Sequence, residues 1–290
     1  MQTTEPEITH PALVLLTSHR KDCFDLCVWC LEKFTNIHRF EKIYILENEV
    51  DADHMESIIS FSKKYDHVDV VHCSPRGLVP AVMQAQNILI KKHADAGVVK
   101  IDEDVFVTPY WLDHLLSAYN LHKDTEDVLM AGCISPVSIT GRVCLHSFLR
   151  NYSPEIYNLA KNSKVYDDPA FHIALWDAVV SDGFMNKYKD SFLQKYFYTD
   201  NIIINCVLYS RKMIEKMLPF PCSRIDGSPV VDEYIVNSVL QGEHKYAVLP
   251  SAGLVHHYSH AACLDAMLQH LPVKKVREYM ETVAGEGCGV

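Results

Sequence analysis

The feature that most constrains the fold of this chain is the regular alternation, over its first third, of short apolar segments with longer amphipathic ones. Apolar runs at residues 12–17, 42–46, 68–72 and 97–101 have the length and composition of strands buried on both faces of a parallel sheet. Between these runs, apolar residues recur at the 3.6-residue spacing of helices. This order predicts a doubly wound α/β fold, a mostly parallel sheet flanked by helices.

The remainder of the chain follows the same pattern less regularly. Residues 142–181 read as a mixed, partly helical insertion rich in tyrosine and aspartate. We find no repeat or linker that would divide the chain, so we expect one domain over residues 1–271 and a C-terminal tail over residues 272–290. Further strands are predicted at 128–137, 201–209 and 246–249, and further helices at 109–119, 211–218 and 232–240.

Composition and charge narrow the classes of partner. The 290 residues carry a formal net charge of -10 at pH 7. Because nucleic-acid binding requires clustered lysine and arginine, we expect no nucleic-acid partner. The apolar runs are too short for a transmembrane segment, and the polar N-terminus does not resemble a signal peptide. We therefore expect a cytoplasmic protein with ten reduced cysteines, and we leave peripheral attachment to a membrane open.

Polar side chains follow three of the predicted strands at the points where those strands end. Thr17 and Arg20 follow the first strand, Glu47 the second, and Asp102 and Asp104 the fourth. Doubly wound sheets bind their ligands beyond the carboxyl ends of the strands. The sequence therefore predicts a ligand site at this edge of the sheet.

The acidic segment at residues 102–104 indicates what kind of ligand this is. Alternate residues of an extended chain point the same way, so Asp102 and Asp104 can face one ligand together. Adjacent carboxylates after an apolar strand are electrostatically costly unless a cation offsets them. Mn²⁺ and Mg²⁺ prefer such oxygen ligands, so we predict one of these two cations. An acidic loop that caps the following helix would give the same short pattern.

In their order along the chain, these segments resemble the glycosyltransferases of the GT-A fold, especially the family-2-like group. Residues 142–181 have no counterpart in that pattern. The family more often has aspartate where this chain has Glu47. The resemblance covers roughly residues 12–260 and rests on residues 17–20, Glu47, Arg76 and Gly77, Asn87, residues 102–104, Asp232 and Glu233, and His256.

The resemblance implies an enzyme that transfers a sugar from a nucleotide sugar, a UDP- or GDP-sugar, to an acceptor. The acceptor is not identified and could be a saccharide, a lipid or a protein. The insertion at residues 142–181 is a candidate for the acceptor side of the site. The residues implied to bind the donor are Thr17, Arg20, Glu47, Arg76, Gly77 and Asp102, and those implied to bind the metal are Asp102, Asp104 and His256.

Three histidines lie near the end of the matched region. Neighbouring residues of a strand face opposite sides, so His256 and His257 cannot easily bind the same ion. The position of His256 after the last matched strand, as in the family's pattern, favours it as the ligand over His257 or His260, and a neutral imidazole is a good ligand for Mn²⁺.

The resemblance also implies a catalytic role for Asp232 and Glu233. In inverting members of the family, a carboxylate of this pair takes the proton from the acceptor hydroxyl. The usual order there is glutamate then aspartate, and this chain has the reverse order. Its position favours Glu233 as the base, which predicts an inverting reaction. Alternatively, both carboxylates could only complement the N-terminus of a helix.

Two other functions remain open at this stage. A metal-dependent nucleotidyltransferase also uses an α/β sheet and carboxylates, but it usually has a glycine-rich loop after its first strand. Residues 17–21 of this chain contain no glycine. The second alternative is a non-catalytic protein of the same fold that binds a nucleotide or a partner.

Overall fold

The computed structural model of the 290-residue chain describes residues 5–161, 164–181, 184–191, 195–223 and 231–286. The strands are β1 (Ala12–Thr17), β2 (Lys42–Glu47), β3 (Val68–His72), β4 (Val98–Asp102), β5 (Val105–Phe106), β6 (Val128–Gly132), β7 (Tyr196–Thr199), β8 (Cys206–Tyr209), β9 (Tyr246–Pro250) and β10 (His256–His257). The helices are α1 (Lys21–Phe34), α2 (Ala52–Ser62), α3 (Val79–Lys92), α4 (Trp111–His122), α5 (Ile139–Cys144), α6 (His146–Tyr152), α7 (Pro154–Ala160), α8 (Pro169–Val180), α9 (Phe184–Asp190), α10 (Arg211–Met217), α11 (Val231–Gly242), α12 (Leu264–His270) and α13 (Val273–Glu286).

Eight of the strands form one central sheet in the order β3-β2-β1-β4-β8-β6-β9-β7. Strands β3, β2, β1 and β4 are parallel to one another, whereas β8 is antiparallel to both of its neighbours and β7 is antiparallel to β9. Helices flank this sheet, and β5 pairs separately with β10. The predicted fold class, a mostly parallel sheet flanked by helices in a single domain, is confirmed.

The carboxyl ends of β1, β2 and β4 meet at one edge of the sheet. The core of β1 is fully buried, as the run of apolar residues predicts, with Leu13 and Leu15 at 0% exposure. Its last residue, Thr17, lies beside Glu47 in the register with β2, and Leu16 lies beside Asp102 in the register with β4. The polar ends of the three strands are therefore neighbours, as the sequence predicts.

The antiparallel strand β8 brings a second set of residues to this edge. It begins at Cys206, whereas the sequence predicted a strand from residue 201. Because β8 runs opposite to β4, the residues that precede it lie at the carboxyl end of β4, where the backbone N–H of Asp102 donates to the carbonyl of Asn205 at 3.0 Å. On the other side of β8, the N–H of Cys133 donates to the carbonyl of Cys206 at 3.0 Å.

The predicted insertion at residues 142–181 is largely helical, with residues 162–163 outside the described ranges. Its helix α8 packs against α12 and the segment that follows β10. Phe171 and Leu175 of α8 are fully buried. The indole N–H of Trp176, also in α8, donates to the carbonyl of Tyr258 at 2.8 Å. This contact anchors the insertion beside β10.

The C-terminal segment differs from the tail that the sequence suggested. Residues Val273–Glu286 form α13, whose Val276 and Met280 side chains are fully buried. The guanidinium of Arg277 lies over the Trp29 ring of α1, 5.4 Å from its centroid. Helix α13 is therefore part of the packed domain, and the rest of the predicted tail, residues 287–290, lies outside the described ranges.

Candidate functional site

A cavity of about 650 Å³ opens at the carboxyl ends of β1 and β4. A volume of this size suits a small-molecule ligand. Its walls come from the turn after β1, the acidic segment after β4, the residues before β8, the start of α11 and the segment after β10. Elements from both halves of the chain thus line the same cavity.

Asp102 lies on the cavity wall and is held from within its own strand. The Nζ atom of Lys100 donates to its Oδ1 at 2.8 Å, and Lys100 also donates to the carbonyl of Ile204 at 3.2 Å. Burial raises the pKa of Asp102 to about 6, although the ammonium of Lys100 acts in the opposite direction. Lys100 is not among the site residues predicted from the sequence, although a lysine within an apolar strand requires a buried partner.

Asp104 also lines the cavity and has two basic partners. Arg20 donates from Nη1 to its Oδ2 atom, and Nε2 of His257 lies 3.2 Å from the same oxygen. Burial alone would raise the pKa of Asp104, but His257 and Arg20 outweigh it and lower the pKa to about 2. The structure therefore brings together the predicted residues Arg20, Asp102 and Asp104, with Asp104 ionised.

The structure places His257, and not His256, beside these carboxylates. The ring of His256 faces the other way and packs against Trp176 and Tyr279, with centroid separations of 5.5 and 5.8 Å. Burial lowers the pKa of His256 to about 3. The prediction that His256 reaches the metal site does not agree with this arrangement, because the pairing of β10 with β5 turns its neighbour His257 toward Asp104.

Thr17 supports the site through Glu103, a residue for which the sequence predicted no role. Its hydroxyl donates to Oε2 of Glu103 at 2.5 Å, and the backbone N–H of Ser18 donates to the same oxygen at 3.1 Å. The Thr17 hydroxyl also lies 3.1 Å from Nε2 of His54. Glu103 therefore ties the turn after β1 to the turn after β4, and Thr17 is 1% exposed.

Asp232 and Glu233 lie at the start of α11 and differ in environment. Glu233 lines the cavity, and burial raises its pKa to about 7 against the opposing effect of the Ile204 backbone N–H. Asp232 lies behind it, where its Oδ2 atom accepts from the side chain of Gln86 at 3.2 Å and is 3.9 Å from Nζ of Lys100. Of the two predicted catalytic residues, only Glu233 lines the cavity.

The remaining predicted donor-binding residues form a separate cluster at the end of β2. The carboxylate of Glu47 is fully buried, with Nδ1 of His72 at 2.5 Å and Nη2 of Arg76 at 3.3 Å. Gly77 has a φ of 72°, and its N–H donates to the side chain of Asn48 at 2.8 Å. Glu47, Arg76 and Gly77 are brought together here and do not line the cavity that contains Asp102.

The insertion contributes two residues to the cavity wall, Tyr166 and Asp167. The Tyr166 ring packs edge-on against His260, with the centroids 4.5 Å apart. His260 also lines the cavity, and its buried Nε2 atom has no hydrogen-bond partner among the described residues. This side of the cavity offers an aromatic ring and a polar atom to a ligand.

The two carboxylates that line the cavity determine which cation it suits. Two carboxylates that face one cavity suit Mn²⁺ or Mg²⁺, since these cations accept water and phosphate oxygens as their other ligands. Within the described residues, no group of three His, Cys, Asp or Glu side chains is arranged to hold a metal ion alone. Asp102 and Asp104 therefore fit a cation that shares its coordination with a bound ligand.

No helix in the described parts of the chain is long and apolar enough to cross a membrane.

No protein-family model and no curated protein matches this chain in sequence. In fold it is similar to a mannosyltransferase from Pyrobaculum calidifontis that was solved in complex with GDP-Man and Mn²⁺. The TM-score is 0.52 and the sequence identity 10%, and the match covers 98% of this chain and 78% of the mannosyltransferase chain. It is also similar to GalNAc-T7 solved with UDP, GalNAc and Mn²⁺, with a TM-score of 0.53 and 10% identity over 95% of this chain and 54% of the other. At this identity the likeness shows the fold, which is the GT-A fold that the sequence predicted.

Proposed function

We propose that this protein is a glycosyltransferase that moves a sugar from a nucleoside-diphosphate sugar to a hydroxyl group of an acceptor, with the help of a divalent cation. The observation that carries the proposal is the convergence of Asp102, Asp104 and Glu233 on one cavity. Two of these carboxylates suit a cation and the third has the raised pKa of a general base. The likeness in fold to two proteins solved with nucleotides and Mn²⁺ supports the same function.

The donor is proposed to bind along the ends of β1, β2 and β4. Arg20 lines the cavity and can form two parallel hydrogen bonds with a phosphate group. The exposed side chain of Arg76 is proposed to meet the nucleoside part of the donor. The buried Glu47, the register neighbour of Thr17 on the adjacent strand, is proposed to hold Arg76 there through their ion pair at 3.3 Å. Gly77 is proposed to place its backbone beside this cluster: its φ of 72° favours glycine, and its N–H donates to the side chain of Asn48, the residue after Glu47.

Asp102 and Asp104 would hold the cation, Mn²⁺ or Mg²⁺, and His257 is placed to hold Asp104 or to join it as a ligand. The cation would neutralise the negative charge of the leaving diphosphate. Lys100 and Thr17 support the acidic segment. Lys100 donates a hydrogen bond to Asp102, and Thr17 donates one to Glu103. These two contacts orient the acidic segment toward the cavity.

Glu233 is proposed to act as the general base. Its carboxylate takes the proton from the acceptor hydroxyl while that oxygen forms a bond to the anomeric carbon. The bond between the anomeric carbon and the diphosphate oxygen breaks, and its electron pair leaves with the nucleoside diphosphate. Attack on the face opposite the leaving group inverts the configuration at the anomeric carbon. Asp232 then has a supporting role, because it contacts Gln86 and lies near Lys100 behind the cavity.

The acceptor is proposed to bind on the side formed by the insertion. Tyr166, Asp167 and His260 line this part of the cavity. An aromatic ring, a carboxylate and an imidazole can contact the face and the hydroxyl groups of a sugar. A saccharide, alone or carried by a lipid or a protein, is the acceptor class that fits these groups.

Calorimetric titration of the purified chain with UDP and with GDP, each in the presence and absence of Mn²⁺, tests the donor site. We expect one nucleoside diphosphate to bind only with Mn²⁺, and we expect Asp104→Asn to abolish that binding. Asp113→Asn is the matched control, because Asp113 is an exposed carboxylate in a similar pair with Arg39.

The competing functions give different results in the same assays. A nucleotidyltransferase would release pyrophosphate from a nucleoside triphosphate, whereas the proposed enzyme releases a nucleoside diphosphate from a nucleotide sugar. A non-catalytic protein would bind the nucleotide without turnover. Failure of both diphosphates to bind in the presence of Mn²⁺ would rule out the proposed donors.

A further inference from the structure

We infer that Arg20 and the divalent cation compete for Asp104, so that the cation binds weakly by itself and tightly only together with the diphosphate. The inference rests on the proposed function, since it concerns the cation and the nucleotide of that same site. It assigns Arg20 a second role beyond contact with the donor, as the cation that pairs with the carboxylate of Asp104.

The contacts of Arg20 support this role. Its Nη1 atom donates to Oδ2 of Asp104 and to the carbonyl of Ser259, the latter at 3.2 Å. The two side chains of the ion pair are only 13% and 11% exposed. Water and salt screen such a pair much less than they screen a surface pair, so its attraction is a substantial barrier to any competing cation.

The position of the guanidinium adds a second obstacle to the cation. A divalent ion bound to Asp104 while Arg20 remains in place would lie within a few ångströms of a fixed positive charge. Like charges at so short a separation repel strongly in a partly buried site, because water screens them poorly there. The cation therefore requires Arg20 to leave.

A diphosphate provides the place for Arg20 to go. Arg20 lies on the turn between β1 and α1 and lines the cavity, so its side chain can exchange Asp104 for a phosphate oxygen without movement of the sheet. Guanidinium groups bind phosphate through two parallel hydrogen bonds, which compensates for the lost ion pair. Each ligand thus removes the obstacle to the other, and the coupling is necessarily reciprocal.

Lys100 does not share this behaviour, although it neutralises the other carboxylate. Its side chain is 3% exposed and is fixed by Asp102, Asp232 and the carbonyl of Ile204. It stands within β4 and has three partners, so its ammonium is less free to move than the guanidinium of Arg20. Arg20 is therefore the cation of this site that a ligand can displace.

The test is a titration of the full chain with Mn²⁺ alone, with free Mn²⁺ measured by electron paramagnetic resonance, for the native protein and for Arg20→Gln. We expect Arg20→Gln to bind Mn²⁺ alone at least about tenfold more tightly, within the usual range of coupling between two sites. Repeated with saturating UDP or GDP, the native protein should gain at least about tenfold in Mn²⁺ affinity, and Arg20→Gln should gain much less.

Two further variants keep the test decisive. Arg39→Gln removes an arginine from an exposed ion pair with Asp113 and should leave Mn²⁺ binding unchanged. Arg20→Lys retains the positive charge and should bind Mn²⁺ alone as weakly as the native protein. If Arg20→Gln does not fold, a stronger affinity for Mn²⁺ in the smaller, neutral Arg20→Met variant than in Arg20→Lys carries the same information.

The outcomes separate the inference from the function on which it rests. Equal affinity of the native protein and Arg20→Gln for Mn²⁺ alone would overturn the competition while the proposed metal site remained. Absence of Mn²⁺ binding in both, with UDP and with GDP, would overturn the metal-dependent function itself.

Discussion

Lys100 donates a hydrogen bond from its Nζ atom to Oδ1 of Asp102, 2.8 Å away, although both residues belong to the same strand. Residues two apart in a strand point to the same face, so the lysine and the carboxylate project side by side from β4. Asp232 approaches the same ammonium from α11, at 3.9 Å. One buried cation thus offsets two carboxylates that come from distant parts of the chain.

Replacement of Lys100 by methionine should strongly destabilise the fold. The substitution keeps most of the side-chain volume but leaves Asp232 buried without its nearby cation, and breaking a buried ion pair costs about 3–5 kcal/mol. The free energy of unfolding, measured by urea denaturation, reports this loss. Lys42→Met is the matched control, because Lys42 pairs with the half-exposed Asp69 at 2.8 Å and should cost at most about 1 kcal/mol. Similar losses for the two variants would contradict the importance of this pair.

Glu233→Gln should lower kcat by about 10²–10⁴-fold and leave the binding of nucleotide and Mn²⁺ unchanged. Glutamine retains the size and polarity of the side chain but cannot accept the proton of the acceptor hydroxyl. Initial rates of nucleoside diphosphate release, with the donor established by calorimetry, measure the effect.

The pH profile and a control variant complete that experiment. Since burial raises the pKa of Glu233 to about 7, the native kcat/KM should fall about tenfold per unit of pH below 7. The residual activity of Glu233→Gln should lack this dependence. Glu243→Gln changes an exposed glutamate that pairs with Lys216 and should behave as the native protein does. A native profile that is flat between pH 5 and 7 would exclude Glu233 as the base.

The same raised pKa predicts a dependence of stability on pH. An unfolded glutamate has a pKa of about 4.3, so between about pH 4.3 and 7 the folded state binds the Glu233 proton more tightly than the unfolded state. The contribution of this group to stability therefore falls as the pH rises through that range. Glu233→Gln should consequently be more stable than the native protein at pH 8, by about 1–3 kcal/mol, and equal to it at pH 4. If Glu233→Gln is instead less stable than the native protein at pH 8, the ionised carboxylate of Glu233 does not destabilise the fold.

His257→Gln should weaken Mn²⁺ binding in the presence of nucleotide by about 10–100-fold, because it removes the imidazole that contacts Asp104. His256→Gln should retain the native affinity for Mn²⁺, since His256 faces Trp176 and Tyr279. Electron paramagnetic resonance titration of both variants makes the comparison. The opposite ranking would restore His256 as the metal-binding histidine.

The strand ends of the site could be predicted from the sequence because they depend on local patterns. The apolar run at β1 and the acidic residues after β4 are each contained in a few consecutive residues, and parallel strands place such ends together. The positions of Arg20, Asp102 and Asp104 on one cavity follow from these patterns.

The choice between His256 and His257 could not be predicted in this way. The two histidines alternate in direction, and a shift of one residue exchanges them. The register is set by the pairing of His257 with Val105 in β5, a contact between residues far apart in the chain. The buried position of Asp232 has a similar origin, because it depends on Gln86 and Lys100 and not on the residues beside it.

The connection between Cys133 and Cys206 has a consequence for how this fold can diversify. The hydrogen bond from the N–H of Cys133 to the carbonyl of Cys206 closes a long excursion of the chain that begins and ends on neighbouring strands. Segments whose ends lie close together can be exchanged at little cost in loop-closure entropy. The excursion carries Tyr166 and Asp167, whereas Arg20 and Asp104 lie outside it. Chimeras that exchange this segment but keep Ile204, whose carbonyl accepts from Lys100, should therefore alter acceptor choice while the nucleotide and metal ligands are inherited intact.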